Sequence, residues 1–308
     1  MSSSSVTASA VPPRGRFAPS PTGPLHFGSL VAAVGSYLDA KSRGGEWLLR
    51  MEDLDQPRTV PGAADSILRA LEALGMTWDG PVLYQSSRDQ AYRAALEKLK
   101  ARGLVYPCAC SRREIADSAV SGIDGPVYPG TCRKGLLPGR SARAERVLTS
   151  SEPIIFEDAV QGRIVHTIER QIGDFVLKRA DGFHAYQLAV VVDDAEQGIS
   201  DVVRGADLLD STPRQIYLQR LLGYPTPRYA HLPVAVNVVG EKLSKQTLAP
   251  PVTTDEPVIT LDAALRFLGQ APVTDCAPGD VRTFWAQALA GWRIDRVPRQ
   301  RTQPAQSA

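Results

Sequence analysis

From residue 26 onward the apolar positions fall into a helical rhythm: Leu30, Val31, Val34 and Leu38 recur at spacings that gather one face of an α-helix. The pattern predicts a helix beginning near His26, after a short Arg16-Phe17-Ala18 stretch and a loop punctuated by Pro19, Pro21, Gly23 and Pro24. Trp47-Leu48-Leu49-Arg50-Met51 has the character of a buried strand, and it runs into the acidic segment Glu52-Asp53-Leu54-Asp55-Gln56-Pro57. Two more helices are predicted over 61–75 and 88–102, the second closed by Gly103 as a C-terminal cap. A series of strand, loop, helix and strand implies a parallel α/β sheet.

Periodicity vanishes between 104 and 150, where five glycines, four prolines (Pro107, Pro126, Pro129, Pro138) and three cysteines fall. This region is expected to be an insertion whose small core is held by a metal. Beyond it, residues 174–179 and 183–188 flank Ala180-Asp181-Gly182, a short-turn hairpin signal. The apolar run Leu188–Val192 is buried whether it is strand or helix, and Val202-Val203-Arg204-Gly205 reads as a strand end. A helix over Pro213–Leu222 starts with proline in its first turn, and an apolar stretch 234–239 leads into a turn carrying Lys242 and Lys245. The Ser-rich residues 1–15 are expected to be a disordered leader, and 293–308, with Arg293, Arg296, Arg299 and Arg301 among Pro and Gln, a disordered basic tail.

Composition narrows the functional classes. A chain of 308 residues with 43% apolar and 22% charged residues has room for two domains, and it lacks any run of about 20 apolar residues that could span a bilayer. Four cysteines are too few for a disulfide framework, and Cys108, Cys110 and Cys132 cluster as metal ligands do in a reducing compartment, so a cytoplasmic location is expected. The net charge of +2 neither demands nor excludes nucleic acid, so an RNA site has to be a local patch.

Two segments carry candidate chemistry. In Pro24-Leu25-His26-Phe27-Gly28-Ser29 a histidine and a glycine sit at a helix start, where unpaired N–H groups and the helix dipole favour a phosphate and Gly28 allows close approach. In Glu241-Lys242-Leu243-Ser244-Lys245-Gln246 two lysines follow a glycine turn, and flexible point charges of this kind can follow charge developing on a triphosphate. Taken together and in this order, the pair resembles the two signatures of the class I aminoacyl-tRNA synthetases, with Ser29 and Gln246 departing at the last position of each. Arg16-Phe17-Ala18-Pro19-Ser20-Pro21-Thr22-Gly23 and Met51-Glu52-Asp53-Leu54-Asp55 further resemble the glutamyl branch of that class.

The resemblance, which covers roughly residues 16–246, implies a fold and a site. The fold is the class I Rossmann-like parallel sheet, made from 16–103 and 151–246, interrupted by the zinc-binding insertion 104–150 and followed by a short helical region 247–292, with no anticodon-binding domain. Arg16, Phe17, Ala18, Pro19, Ser20, Glu52, Tyr186 and Arg204 would line a pocket for L-glutamate. Arg16 and Arg204 suit a carboxylate and Glu52 suits the α-ammonium. His26, Gly28, Lys242 and Lys245 would be the catalytic set, of which His26, Gly28 and Lys245 bind ATP with its Mg²⁺.

Three thiolates suit one structural Zn²⁺ per chain, which needs a fourth ligand. Cys276 is distant, His166 is the ordinary alternative, and the resemblance implies Tyr128. The short remainder after Gln246 gives a plan that resembles the glutamyl-Q tRNA(Asp) synthetases, a truncated glutamyl branch. That family activates glutamate with ATP and transfers it to queuosine at the wobble position of tRNA(Asp). The implied partners are therefore ATP, L-glutamate and queuosine-containing tRNA(Asp), with no membrane and a monomeric chain. A ligase that charges a tRNA 3′ end and a tRNA-independent adenylating ligase are the alternatives that share these devices.

Overall fold

The structure, a computed structural model, describes residues 12–118, 120–123, 125–243 and 250–305. In chain order the first part runs β1 (Arg14–Phe17), α1 (Phe27–Lys41), β2 (Glu46–Met51), α2 (Ala63–Ala73), β3 (Leu83–Tyr84) and α3 (Asp89–Ala101). Next come β4 (Val105–Cys108), α4 (Arg112–Ser118), β5 (Ser121–Gly122), β6 (Gly125–Pro126) and β7 (Ala144–Val147). The chain continues through β8 (Pro153–Asp158), β9 (Gly162–Thr167), α5 (Ile168–Gln171), β10 (Val176–Lys178) and α6 (Tyr186–Glu196). It then forms β11 (Asp201–Gly205), α7 (Thr212–Leu222), β12 (Arg228–Leu232), β13 (Val234–Val236), α8 (Pro257–Phe267), α9 (Val281–Gly291) and β14 (Thr302–Pro304).

The parallel α/β sheet expected from the sequence is present in two blocks. Strands β1, β2 and β3 pair in parallel, as do β11, β12 and β8, while β9 closes the second block as an antiparallel edge. The blocks meet where the Ser200 N–H donates to the Arg14 carbonyl, so β1 lies beside β11. Helix α1 was expected to bury one face. Instead almost every residue from Leu30 to Ala40 is buried, because the sheet covers one side and α8 and α9 cover the other through Leu261, Leu265, Phe284 and Trp285. Gly35 makes the close approach possible, since a Cβ there would come within 2.5 Å of Leu232 Cδ1. A second core joins α3, α6 and α7 through Tyr92, Leu96, Leu188, Val191, Ile216 and Leu222.

Three expectations need correction. The hairpin turn at 180–182 forms, with the Arg179 N–H donating to the Phe183 carbonyl and the Ala185 N–H to the Leu177 carbonyl around the Lys178–His184 bridge, but its second arm is cut short because α6 starts at Tyr186. The β-branched run Val190–Val192 favours a strand locally, but as helix it is buried between α3 and α7, and packing outweighs propensity. The apolar stretch 234–239 stops as strand at Val236, because the Asn237 side chain accepts the N–H groups of Val239 (3.1 Å) and Glu241 (2.9 Å) and turns the chain. Val238 and Val239 are consequently exposed.

The third correction concerns the chain ends. Residues 1–11 of the expected leader lie outside the described residues, while Arg14 and Gly15 already belong to β1. The expected basic tail is ordered over 293–305: β14 pairs in parallel with β13, with Val234 N–H donating to Arg301 O and Ala305 N–H to Val236 O. Val297 joins the main core with Ile294 and Ala305 packed against it, and backbone bonds and the Arg301–Asp210 ion pair (3.0 Å) hold the polar remainder.

The insertion, 104–150, has a small cluster of its own that gathers the buried residues Tyr106, Cys108, Tyr128 and Cys132. Its antiparallel sheet, β4–β7–β10, also takes in a strand beyond residue 150. Among the described residues no helix is long and apolar enough to cross a membrane.

Candidate active site

A cavity of about 190 Å³ opens at the C-terminal ends of β1, β2, β11 and β12. Parallel sheets place ligands there because the strand ends deliver side chains from separated parts of the chain to one crevice. The ends of β1 and its loop bring Arg16, Phe17, Ala18 and Pro19, β2 brings Glu52, α6 brings Tyr186, and β11 brings Arg204. The start of α1 adds His26, Gly28 and Ser29, and Lys242 approaches from beyond β13. The structure thus gathers ten of the twelve residues expected at the glutamate and ATP sites. Ser20 is exposed and does not line this cavity, and Lys245 lies outside the described residues.

His26 is the N-cap of α1: its Nδ1 accepts the Ser29 N–H at 3.3 Å, and its Nε2 meets the Ser29 hydroxyl at 2.9 Å. The departure from the family signature at position 29 therefore has a local consequence, because the Ser29 hydroxyl adds a second contact to the ring beside the backbone bond that any residue there would give. A Cβ on Gly28 would stand 3.2 Å from the Leu243 carbonyl, so only glycine fits comfortably between the helix start and the lysine turn. Lys242 is anchored to Asp207 at 2.6 Å, and both residues border the cavity.

The charged floor of the site is organised by a residue that sequence reading missed. Asp194, on α6, accepts from Arg16 Nε at 3.1 Å and from Arg50 Nη2 at 2.7 Å, and all three side chains are buried. Its neighbour Asp193 accepts from Tyr92 (2.7 Å), Gln85 (2.8 Å) and Arg88 (3.2 Å), which ties α6 to α3. The signal was in the sequence: two acids close the run Val190-Val191-Val192, and acids on a buried helix must be paired. Burial raises the Glu52 carboxyl to about 7, although Arg50 (3.7 Å) and Arg16 pull it down. Burial would raise Asp194 too, but Arg16 and Arg50 prevail and hold it below the usual carboxylate range.

Arg204 donates to five partners: His231 Nε2 (3.1 Å), Thr212 Oγ1 (2.8 Å), Gln215 Oε1 (2.7 Å), the Leu208 carbonyl (3.5 Å) and, at the cavity, the Tyr186 hydroxyl (3.4 Å). Arg16, Arg204 and Glu52 therefore face one cavity as two cations and one anion, the complement of the two carboxylates and one ammonium of an acidic amino acid.

The cysteine cluster is separate. The Cys108, Cys110 and Cys132 sulfurs lie within 4.8 Å of one another. The Tyr128 hydroxyl is 3.4 Å from Cys108 Sγ and 3.8 Å from Cys110 Sγ, and the Arg146 guanidinium stacks 3.9 Å over its ring. Three sulfurs and a phenol oxygen drawn together beside a cation suit a four-coordinate zinc ion. His166 is not in this cluster; it faces Asp210 at 3.9 Å, so it does not supply the fourth ligand in this arrangement. All four cysteines are unpaired by disulfides.

Residues 13–263 match the family of tRNA synthetases class I (E and Q), catalytic domain. The chain is 64% identical over 291 residues to the glutamyl-Q tRNA(Asp) synthetase of Dechloromonas aromatica (strain RCB), covering 94% of this chain and 97% of that one. It is 60% identical over 285 residues to the protein of the same name from Chromobacterium violaceum, covering 92% and 95%. Among solved structures it is similar to a glutamate-tRNA synthetase from Elizabethkingia anophelis, with a TM-score of 0.77 at 25% identity, covering 94% of this chain and 67% of that chain. A glutamate tRNA ligase from Elizabethkingia meningosepticum shares the fold, with a TM-score of 0.78 at 24% identity over 96% and 67%. With a parallel sheet whose strand ends hold the charged cavity, and with this likeness over nearly its whole length, the chain belongs to the glutamyl-Q tRNA(Asp) synthetases, within the class I tRNA synthetases of the E and Q type.

Proposed function

We propose that the protein activates L-glutamate with ATP as glutamyl-adenylate and transfers the glutamyl group to queuosine in tRNA(Asp). The observation that carries this reading is the 64% identity to a glutamyl-Q tRNA(Asp) synthetase over 97% of that protein. The cavity supports it chemically, since Arg16, Glu52 and Arg204 complement the charges of glutamate.

In the first displacement the glutamate α-carboxylate attacks the α-phosphorus of ATP, a new O–P bond forms, and the bond to pyrophosphate breaks. His26 and the backbone at Gly28, at the positive end of α1, are placed to receive phosphoryl oxygens. Lys242 and Lys245 balance the charge that builds on the departing pyrophosphate, and Mg²⁺ arrives with ATP. In the second displacement a queuosine hydroxyl attacks the activated carbonyl and AMP leaves. No covalent enzyme intermediate is needed. Lys245→Ala should lower glutamate-dependent pyrophosphate exchange by about tenfold or more, as loss of one mobile transition-state cation would. Its melting temperature should stay within about 1 °C of the parent if the side chain serves only the chemistry, and a large drop would make Lys245 structural instead.

Cys108, Cys110, Cys132 and Tyr128 would hold a structural zinc that supplements the small core of the insertion. Elemental analysis of Cys108→Ser should show the loss of bound zinc from about one equivalent per chain. Unchanged metal content would remove this site.

The decisive experiment is transfer of labelled glutamate, with ATP and Mg²⁺, to tRNA from cells that make queuosine and from cells that cannot. Label in the queuosine-containing pool alone is expected. Equal labelling of both pools would assign transfer to the tRNA 3′ end, and pyrophosphate exchange without labelling would leave an adenylating ligase.

A further inference from the structure

Behind Arg204 lies a buried chain of groups that the reaction does not touch. Asp158 ends β8 and His231 lies on β12; both side chains are fully buried, and Asp158 Oδ2 meets His231 Nδ1 at 2.6 Å. The two oxygens of Asp158 do different work. Oδ1 accepts three backbone N–H groups, from Val160 (3.0 Å), Gln161 (2.8 Å) and His231 (3.1 Å), and so shapes the β8–β9 turn. Oδ2 is described with one partner, the imidazole.

Both groups favour one protonation pattern. Burial lowers the imidazole to about 4, so His231 is neutral near pH 7 and carries one proton on one nitrogen. Burial opposes ionisation of Asp158, but its hydrogen bonds, led by that from His231, hold it below the usual carboxylate range. An ionised Oδ2 can only accept, which puts the proton on Nδ1 and leaves Nε2 as an acceptor. Nε2 is where the Arg204 Nε–H arrives, at 3.1 Å, and the Thr212 hydroxyl, itself a partner of Arg204 Nη2, lies 3.0 Å from the same nitrogen.

We propose that Asp158 and His231 are positioning residues for the glutamate site: Asp158 sets the tautomer of His231, and the bare Nε2 of His231 holds the Arg204 guanidinium with its Nη1 toward Tyr186 and the cavity. The inference rests on the reading that Arg204 binds glutamate. It also explains a charge that would otherwise be hard to place. A guanidinium beside a histidine is stable only when the histidine presents a lone pair, because two N–H donors facing each other would be left unsatisfied in a buried setting.

The test exploits the division of labour on Asp158. Asp158→Asn retains Oδ1 for the three backbone N–H groups but places an N–H₂ where Oδ2 was, which forces the proton of His231 onto Nε2, against Arg204. The KM for glutamate in pyrophosphate exchange should rise by about tenfold or more, while the KM for ATP stays within about twofold and the fold persists. His231→Gln offers Arg204 an amide oxygen that needs no tautomer, so in that background Asp158→Asn should change the glutamate KM by less than about threefold.

An equal loss in both backgrounds, or an equal rise in both KM values, would mean a structural role and overturn the proposal. So would an Asp158→Asn enzyme within about twofold of the parent. If Asp158→Asn does not fold, His231→Leu against His231→Gln makes the same comparison: the leucine enzyme should lose about tenfold in glutamate KM and the glutamine enzyme far less, and equal losses overturn the proposal. Arg204→Ala separates the two levels of inference. If it leaves the glutamate KM unchanged, the assignment of Arg204 to glutamate has failed, and the proposal with it. If it alone raises that KM, the assignment stands and the proposal fails.

Discussion

Replacing Asp194 with alanine is expected to lower the melting temperature by roughly 10 °C and to abolish glutamate-dependent pyrophosphate exchange. The cause is electrostatic. Asp194 stands between Arg16 and Arg50, whose side chains are 4% and 0% exposed, and its removal leaves two guanidinium groups with little water and no carboxylate in direct contact, Glu52 being 3.7 Å from Arg50 and Gln197 offering Arg50 only a neutral amide oxygen. Breaking a buried ion pair from one side costs about 3–5 kcal/mol, because the surviving charge keeps its desolvation penalty and loses its partner. At about 2–4 °C per kcal/mol for a chain of this size class, the shift is easily read in a thermal melt. Activity should fall further than stability, since Arg16 lines the cavity and loses the bond that orients it. An alanine variant that melts with the parent would show that water or Glu52 already neutralises the arginines.

The second large effect belongs to Glu52. Its carboxyl is raised from 4.5 to about 7 by burial, so in the ligand-free protein it is about half protonated near neutrality. The folded state binds more protons than the unfolded state between these values, so the group's contribution to stability is full below 4.5 and is lost as pH rises through about 7. Binding runs the other way. The carboxylate is the form that meets an α-ammonium, so glutamate affinity should strengthen about tenfold between pH 6 and pH 8 as the ionised fraction grows.

Glu52→Gln should remove that slope and weaken glutamate by roughly a hundredfold, the order expected when one partner of a buried charge pair is neutralised. Glutamate titrations at three pH values on both proteins would test this. A parent enzyme whose affinity is flat from pH 6 to pH 8 would place the ammonium away from Glu52.

Much of the site was legible because its residues are bound to local pattern. His26 and Gly28 sit at a helix start that the spacing of Leu30, Val31, Val34 and Leu38 announces, and Glu52 follows a strand whose apolar run ends abruptly. Cys108, Cys110 and Cys132 stood out by composition, and folding brings them within ligand distance as expected. Partners of the supporting residues were not legible: two acids on a buried helix called for pairing, but nothing local marks Asp194 or His231 as partners of arginines 27 to 178 residues away, or Asp158 as the partner of His231. The hairpin reading of 174–188 held at the turn and failed beyond Ala185 for the same reason. Alternation and a glycine turn are local signals, whereas the helix at Tyr186–Glu196 is favoured by burial between two other helices.

The sequence by itself determined most elements and the chemical inventory: an alternation of strands and helices suited to a parallel sheet, a helix start suited to phosphate, two arginines and a glutamate suited to an acidic amino acid, and three clustered thiols. Periodicity and residue type are properties of neighbours along the chain, and they survive without a fold. Only the tertiary structure decided which oxygen of Asp158 meets which nitrogen of His231, that Asp194 lies between Arg16 and Arg50, and that a polar, arginine-rich tail becomes a strand beside β13. Those outcomes follow from desolvation and from backbone groups that must find partners once water is excluded, and both act only between segments that folding has brought together.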